Sequence, residues 1–478
     1  MKIRPDILRV YREVHSWVGI CAGLLLFVAF FAGAISMFER PLQNLTTPAL
    51  DLPPPTPLSQ TPALLEQVFK AYPQARRSYT VVLSPDRSLP GRVAWRSHPP
   101  GHGASVLNVA TLGSDGALVV RQPQVSPVAS FIDTLHQKVG LPLPPAISRP
   151  VMGVVALLYG LALISGTLVF LPTLARNLFA FRRIDGPRKF WLDIHNLLGF
   201  FSLPFHIVMA VTSVVFAFHD PIFAVQSRLF ASPSARHASV DGSMPGSMHA
   251  GTPGPMHEIA DGHPGPHPAI SHDESALLAP TDLLATLETQ APGFVADTLF
   301  YSHNGRGDMT LRVTGHDSRY STRGPVAGFT TMDPRTGKIL SADYLPGHQK
   351  TGFAILTVFF ALHFGSFGGN AIRWGYVVLG FAGAALFYTG NRLWVDARRR
   401  REKAAGFARD SLATHILGRL TPGWVVGCVI GNAMILAAAF LMPDLMTETV
   451  VSELYYAVFV GCIVLFMLRP RTTRPSTH

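Results

Sequence analysis

The sequence predicts a mainly α membrane protein: a helical transmembrane bundle of about six spans, joined by two α+β domains outside the bilayer and repeated internally. Three observations predict it. Of the 478 residues 48% are hydrophobic and only 14% charged, with a positive mean hydropathy, which points to an integral membrane protein with sizeable polar parts. Half of the 40 Lys and Arg fall in four short segments flanking apolar runs, 2–12, 173–189, 391–419 and 469–478. The formal charge of +11 is therefore a positive-inside bias and not a nucleic-acid patch. Finally, the succession of span, outer α+β segment, histidine-bearing linker and span occurs twice.

Residues 1–38 hold the basic start MKIRPDILRVYR and a first apolar run, 14–38, without a small-residue cleavage site; the expectation is a retained span with a cytoplasmic N-terminus. Residues 39–148 begin as a Pro-rich linker and continue as an amphipathic helix, ALLEQVFKAYPQA, and strand-like segments SYTVVLS, GRVAWRS, SVLNVATL and ALVVRQ around the turn GSDG. His136 follows in a Pro-rich stretch that breaks the chain before the next span, so it belongs on a short interfacial helix. Residues 149–218 contain the second and third spans, 151–171 and 191–218.

Residues 219–349 open with a Gly- and Pro-rich run carrying six His (237, 249, 257, 263, 267, 272) and three Met (244, 248, 256). Its composition argues against a fold, and imidazole with thioether makes a loose copper or nickel binder without fixed ligand spacing. A second helix-and-strand pattern follows, in which TTMDPRTGKILS answers VATLGSDGALVV. Residues 350–397 hold an apolar surface helix, 351–367, with His363, and a fourth span, 372–395; here ALHFGSFGG answers TLHQKVG and Arg373 answers Arg149. Residues 398–478 form a basic loop and a closing hairpin, 423–442 and 450–468, without histidine, so both termini are expected inside.

Histidine inside or beside membrane spans is costly and marks function by default. Taken as one straight helix, 191–218 puts His195 and His206 on a common face about 16 Å apart, at depths of about 8 and 24 Å, which leaves room for two stacked haems. His15, in VHSWVGI, repeats the position of His195, in IHNLLGF. By repeat symmetry His15 and His195 meet near the inner face and His136 and His363 near the outer face, with His206 close to the outer pair. That is one ligand more than two bis-His haems need, and the outer pairing stays open. Cys21, Cys428 and Cys462 all lie in apolar runs and no CxxCH motif occurs, so any haem is non-covalent, haem b.

The LHxxxG elements ahead of Gly-rich spans, with outer α+β domains bearing a D/G turn, resemble the PepSY-associated transmembrane family over roughly residues 10–397. Within that family the chain is similar to haem-containing siderophore-iron reductases of the bacterial inner membrane. The resemblance implies two periplasmic PepSY-like domains and a di-haem b conduit that takes electrons from quinol or a cytoplasmic reductase. It also implies reduction of a ferric siderophore, or another periplasmic ferric or metal complex, for iron release. His15, His136, His195, His206 and His363 are the expected ligands, the lipid bilayer is a further expected partner, and nucleic acid is not expected. Two other classes compete: a periplasmic copper- or iron-binding or transport protein fed by the His/Met run, and a non-enzymatic scaffold built on the outer domains. The absence of a nucleophile elbow, P-loop, HExxH or flavin fingerprint argues against hydrolysis and against direct nicotinamide oxidation.

Overall fold

The computed structural model describes residues 4–97, 105–173, 187–218, 277–303 and 308–469. The chain forms two compact units: a helical unit of Met1–Leu42, Pro127–Ile222 and Asn370–His478, and a sheet unit of Gln43–Ser126 and Phe223–Gly369. The His/Met-rich run and the basic segments around 174–186 and 470–478 lie outside the described residues.

In the helical unit, α1 (Pro5–Ser36) lies between two packed clusters. After α2 (Glu39–Thr46) and α3 (Thr61–Ala71), which lead into and belong to the sheet unit, the chain returns as α4 (Val128–Gln137) and α5 (Pro145–Phe170). Ala22, Leu26 and Ala29 of α1 meet Val155 and Tyr159 of α5, while Phe27, Val28 and Ala32 meet Val128, Ile132 and Leu135 of α4. On α5 the residues Val154, Leu157, Leu161 and Ile164 form an exposed stripe at helical spacing, as a lipid-facing surface requires. Tyr159, on its opposite face, and Ser165 are buried. Ends of these helices are set by local chemistry: Pro144 and Pro145 open α5, where the missing N–H costs nothing.

The third apolar segment is bent. It forms α6 (Pro187–Phe201) and α7 (Leu203–Ala217), whose axes differ by 68°. Pro204 is the cause: it lacks the N–H that would bond the carbonyl four residues back, and its ring crowds that carbonyl. Ser202, at the break, donates to the Leu198 carbonyl through both its backbone N–H (3.0 Å) and its hydroxyl (2.5 Å), which keeps the end of α6 satisfied. The straight helix with His195 and His206 about 16 Å apart on one face is thereby overturned.

After the helix of the second half, α8 (Pro280–Gln290), and the apolar α9 (Thr351–Phe364), the helical unit is completed by α10 (Gly369–Ala404), α11 (Leu412–Leu441) and α12 (Glu448–Leu468). Among the described residues five helices are long and apolar enough to cross a membrane, and the bent pair α6–α7 makes six if it counts as one span. Gly423, Gly427 and Gly431, four apart on α11, let α12 approach until an added Cβ would meet Ile463, Phe459 and Tyr455 at 3.0, 2.8 and 2.9 Å. Such small-residue faces hold helices together where lipid removes the hydrophobic drive.

The described residues of the sheet unit form one eight-stranded antiparallel sheet. Its strands are β1 (Ser78–Val82), β2 (Val93–Ser97), β3 (Val106–Leu112), β4 (Leu118–Arg121), β5 (Val295–His303), β6 (Met309–His316), β7 (Gly328–Met332) and β8 (Ile339–Ser341), in the order β4-β3-β2-β1-β5-β6-β7-β8. The two repeated α+β segments are thus joined through β1 and β5, which pair antiparallel from Ser78↔Ser302 to Val82↔Thr298. At the joint Tyr79 and Tyr301 stack with centroids 4.7 Å apart. One core runs under both halves: Leu64, Val68 and Phe69 from α3, Leu283 and Leu287 from α8, and Trp95, Leu299 and Leu311 from the sheet. The β7–β8 turn is closed by Asp333, which accepts from the Arg335 N–H (2.9 Å) and the Thr336 hydroxyl (2.8 Å); these bonds hold its carboxyl below the usual carboxylate range. The α9 helix packs in this unit, where Phe353 meets Tyr344 edge-on and Thr357 accepts from Gln349.

Candidate functional site

Four of the five histidines lie in the helical unit, and each is held in the same manner. His15, on α1, directs Nδ1 to the Ala162 carbonyl of α5 at 2.9 Å, and its ring lies against Gly166, where a Cβ would come within 2.8 Å of Cε1. A carbonyl only accepts, so Nδ1 carries the proton and Nε2 keeps its lone pair. His195, on α6, directs Nδ1 to the Thr389 hydroxyl of α10 at 3.1 Å and rests on Gly390, where an added Cβ would stand 3.2 Å from its Cε1. Thr389 itself donates to the Leu386 carbonyl at 2.8 Å, so its oxygen accepts from His195 and the same tautomer follows. In the repeat, Gly166 corresponds to Gly390 and Ser165 to Thr389. The two halves therefore build the same socket.

The His15 and His195 rings meet edge-on with centroids 6.3 Å apart and planes at 67°. Metal–nitrogen bonds of about 2 Å place two imidazoles on opposite sides of one metal with centroids about 6 Å apart.

The other two converge on one turn of α1. His136, on α4, directs Nδ1 to the Ala29 carbonyl at 2.8 Å and packs on Gly33. His206, on α7, is fully buried beside Phe30, with ring centroids 5.5 Å apart, and among Tyr159, Phe205 and Phe387. The Tyr159 hydroxyl lies 2.5 Å from its Nδ1 and 3.2 Å from its carbonyl oxygen, while its Nε2 is buried without a partner. An unpaired buried imidazole nitrogen is costly unless something occupies it. His206 meets α10 at Gly383 and His195 meets it at Gly390, seven residues or about 10 Å of helix rise apart.

His363, on α9, belongs to the sheet unit, so the expected outer pair of His136 with His363 is not brought together within either unit. Among the described residues no group of three or more His, Cys, Asp or Glu converges as a metal centre; the histidines come in twos. This donor set fits haem b: Nδ1 is anchored by an acceptor or hydroxyl, the Nε2 of His206 is buried without a partner, glycines give the rings room, and an aromatic shell surrounds His206. The sequence reading missed Tyr159, Thr389 and the glycines Gly33, Gly166, Gly383 and Gly390. The repeat carried a signal for one pair, since ISGT and YTGN align small residues at equivalent places.

Comparison with individual curated proteins gives no match. Comparison with protein families matches residues 12–397 to the one described as the PepSY-associated TM region, which covers all five histidines and both halves of the repeat. The protein is a multi-pass membrane protein and belongs to the PepSY-associated transmembrane family.

Proposed function

We propose that this protein is a transmembrane electron conduit with two b haems, reducing a ferric siderophore or another periplasmic ferric or metal complex so that the iron is released. The observation that carries the reading is the His15–His195 pair: two rings 6.3 Å apart, one from each repeat, each with Nδ1 engaged by an oxygen of another helix. Haem b, when bound, supplies one-electron transfer. Release follows because Fe(II) is held less tightly than Fe(III) by hard oxygen ligands.

The chain's own residues then have separable tasks. His15 and His195 hold one centre, and His206 with His136 or His363 holds the other. The Ala162 and Ala29 carbonyls and the Thr389 hydroxyl fix ring orientation and tautomer, and Tyr159 does the same for His206. Phe30, Phe205 and Phe387 keep water from His206. Basic residues at the start of α1 and in the last turns of α10, among them Arg4, Arg9, Arg12 and Arg398–Arg401, support a bacterial inner-membrane orientation with both termini cytoplasmic and the sheet unit in the periplasm. Quinol or a cytoplasmic reductase is the electron donor in this reading.

Absorption spectra of the purified protein, oxidised and then dithionite-reduced, should show bis-imidazole b-type haem at two per chain. Reporter fusions near Asp115 and Asp333 should report from the periplasm. A protein purified from haem-replete cells without a haem spectrum overturns the conduit, and a cytoplasmic signal from either fusion reverses its direction.

A further inference from the structure

Arg392 is a half-buried cation for which the described residues provide no carboxylate, one helix turn from the His195 socket. It lies on α10 three residues beyond Thr389, and its guanidinium carbon sits 4.6 Å from the centroid of the Trp191 ring on α6. Trp191 precedes His195 by four residues, so the two share one face of α6, about 6 Å apart in rise. One Arg392 nitrogen, Nη1, reaches the Tyr388 hydroxyl at 3.3 Å, and Tyr388 stands edge-on to Trp191. Its Nε is buried without any partner. Further along α10, Arg398 and Arg399 are paired with Glu402, Asp396 and Asp410, whereas among the described residues no carboxylate pairs with Arg392. A cation–π contact offsets only part of the desolvation of a guanidinium, and the remainder calls for an anion.

We propose that Arg392, oriented by Trp191 and Tyr388, is a carboxylate clamp for a propionate of the haem held by His15 and His195. The proposal rests on the haem reading above. A guanidinium presents a planar fork that matches a carboxylate, so a charge-assisted bond would form at the buried, unpartnered Nε–H. Three features of one α6–α10 face then act on one ligand: His195 as the axial donor, Thr389 as its anchor, and Arg392 on the acidic edge.

The test uses full-length protein loaded either with protohaem or with its dimethyl ester, whose propionates carry no charge. Haem loss is followed by transfer to apomyoglobin. With protohaem, Arg392→Gln should release one of the two haems about tenfold faster than wild type, and Arg392→Lys should recover part of the difference, as expected for one charge-assisted contact. With the dimethyl ester, wild type and Arg392→Gln should release that haem at the same rate, and wild type itself should lose the ester about as fast as Arg392→Gln loses protohaem. A variant that loses protohaem and ester equally faster than wild type would show a merely structural arginine, and unchanged rates would show an anion from elsewhere, such as a lipid phosphate; either overturns the clamp. If wild type takes up no haem, the conduit reading fails first and the clamp with it.

Discussion

His15 and His195 occupy the same position in the two halves of the chain, and their rings meet at 6.3 Å with each one seated on the glycine of the matching later span, Gly166 or Gly390. Two residues serving one centre do not contribute independently. His15→Ala and His195→Ala should each lower the haem content from two to about one per chain, and the double variant should be no worse than either single one. His206→Ala should remove or perturb the other haem. Pyridine haemochrome content measured against membrane abundance decides; a double variant that loses both haems while still inserted would separate His15 from His195.

The glycine sockets make a graded prediction. An added Cβ at position 166 would stand 2.8 Å from His15, closer than carbon can approach, whereas at position 390 it would stand 3.2 Å from His195, a distance that a small shift relieves. Gly166→Ala should therefore weaken the shared centre more than Gly390→Ala, by about 1–3 kcal/mol of overpacking against less than about 1 kcal/mol. Thermal loss of the reduced haem band ranks the two variants. The reverse order would mean that the rings are not confined as described.

Tyr159→Phe removes one oxygen and keeps the ring that packs against Phe30 and Phe387. That oxygen is the Nδ1 partner of His206. The variant should fold and insert, yet hold the second haem about 10- to 100-fold more weakly, in line with the loss of other partners that orient a metal-ligating histidine. Haem affinity and the reduced spectrum of that centre are the measurements. Wild-type affinity in this variant would reduce Tyr159 to a packing residue.

Much of the architecture could be read from local pattern. Hydropathy marks α1, α5, α10, α11 and α12, and the likeness of VHSWVGI to IHNLLGF pairs His15 with His195. The bend at Ser202 escaped because the apolar run continues across it; Pro204 was visible in SLPF, but hydropathy does not register a missing N–H. The second level of histidines was harder still. Its organisation depends on which carbonyl, hydroxyl or glycine of a distant helix faces each ring, as with His136 on Ala29 and Gly33, and such contacts leave no periodic trace. The joining of β1 to β5 is of the same kind, since each strand is legible alone and the partner of an edge is not.

That joint has a consequence for how the molecule holds together. When the same strand from two equivalent halves pairs antiparallel, as from Ser78↔Ser302 to Val82↔Thr298, the contact has the form of an isologous dimer interface about a two-fold axis. A protein of half this length would have met a second copy of itself there and would have come apart on dilution. Here the partner is tied on by the chain, so the stacked Tyr79 and Tyr301 meet at a fixed effective concentration however scarce the protein is in its membrane.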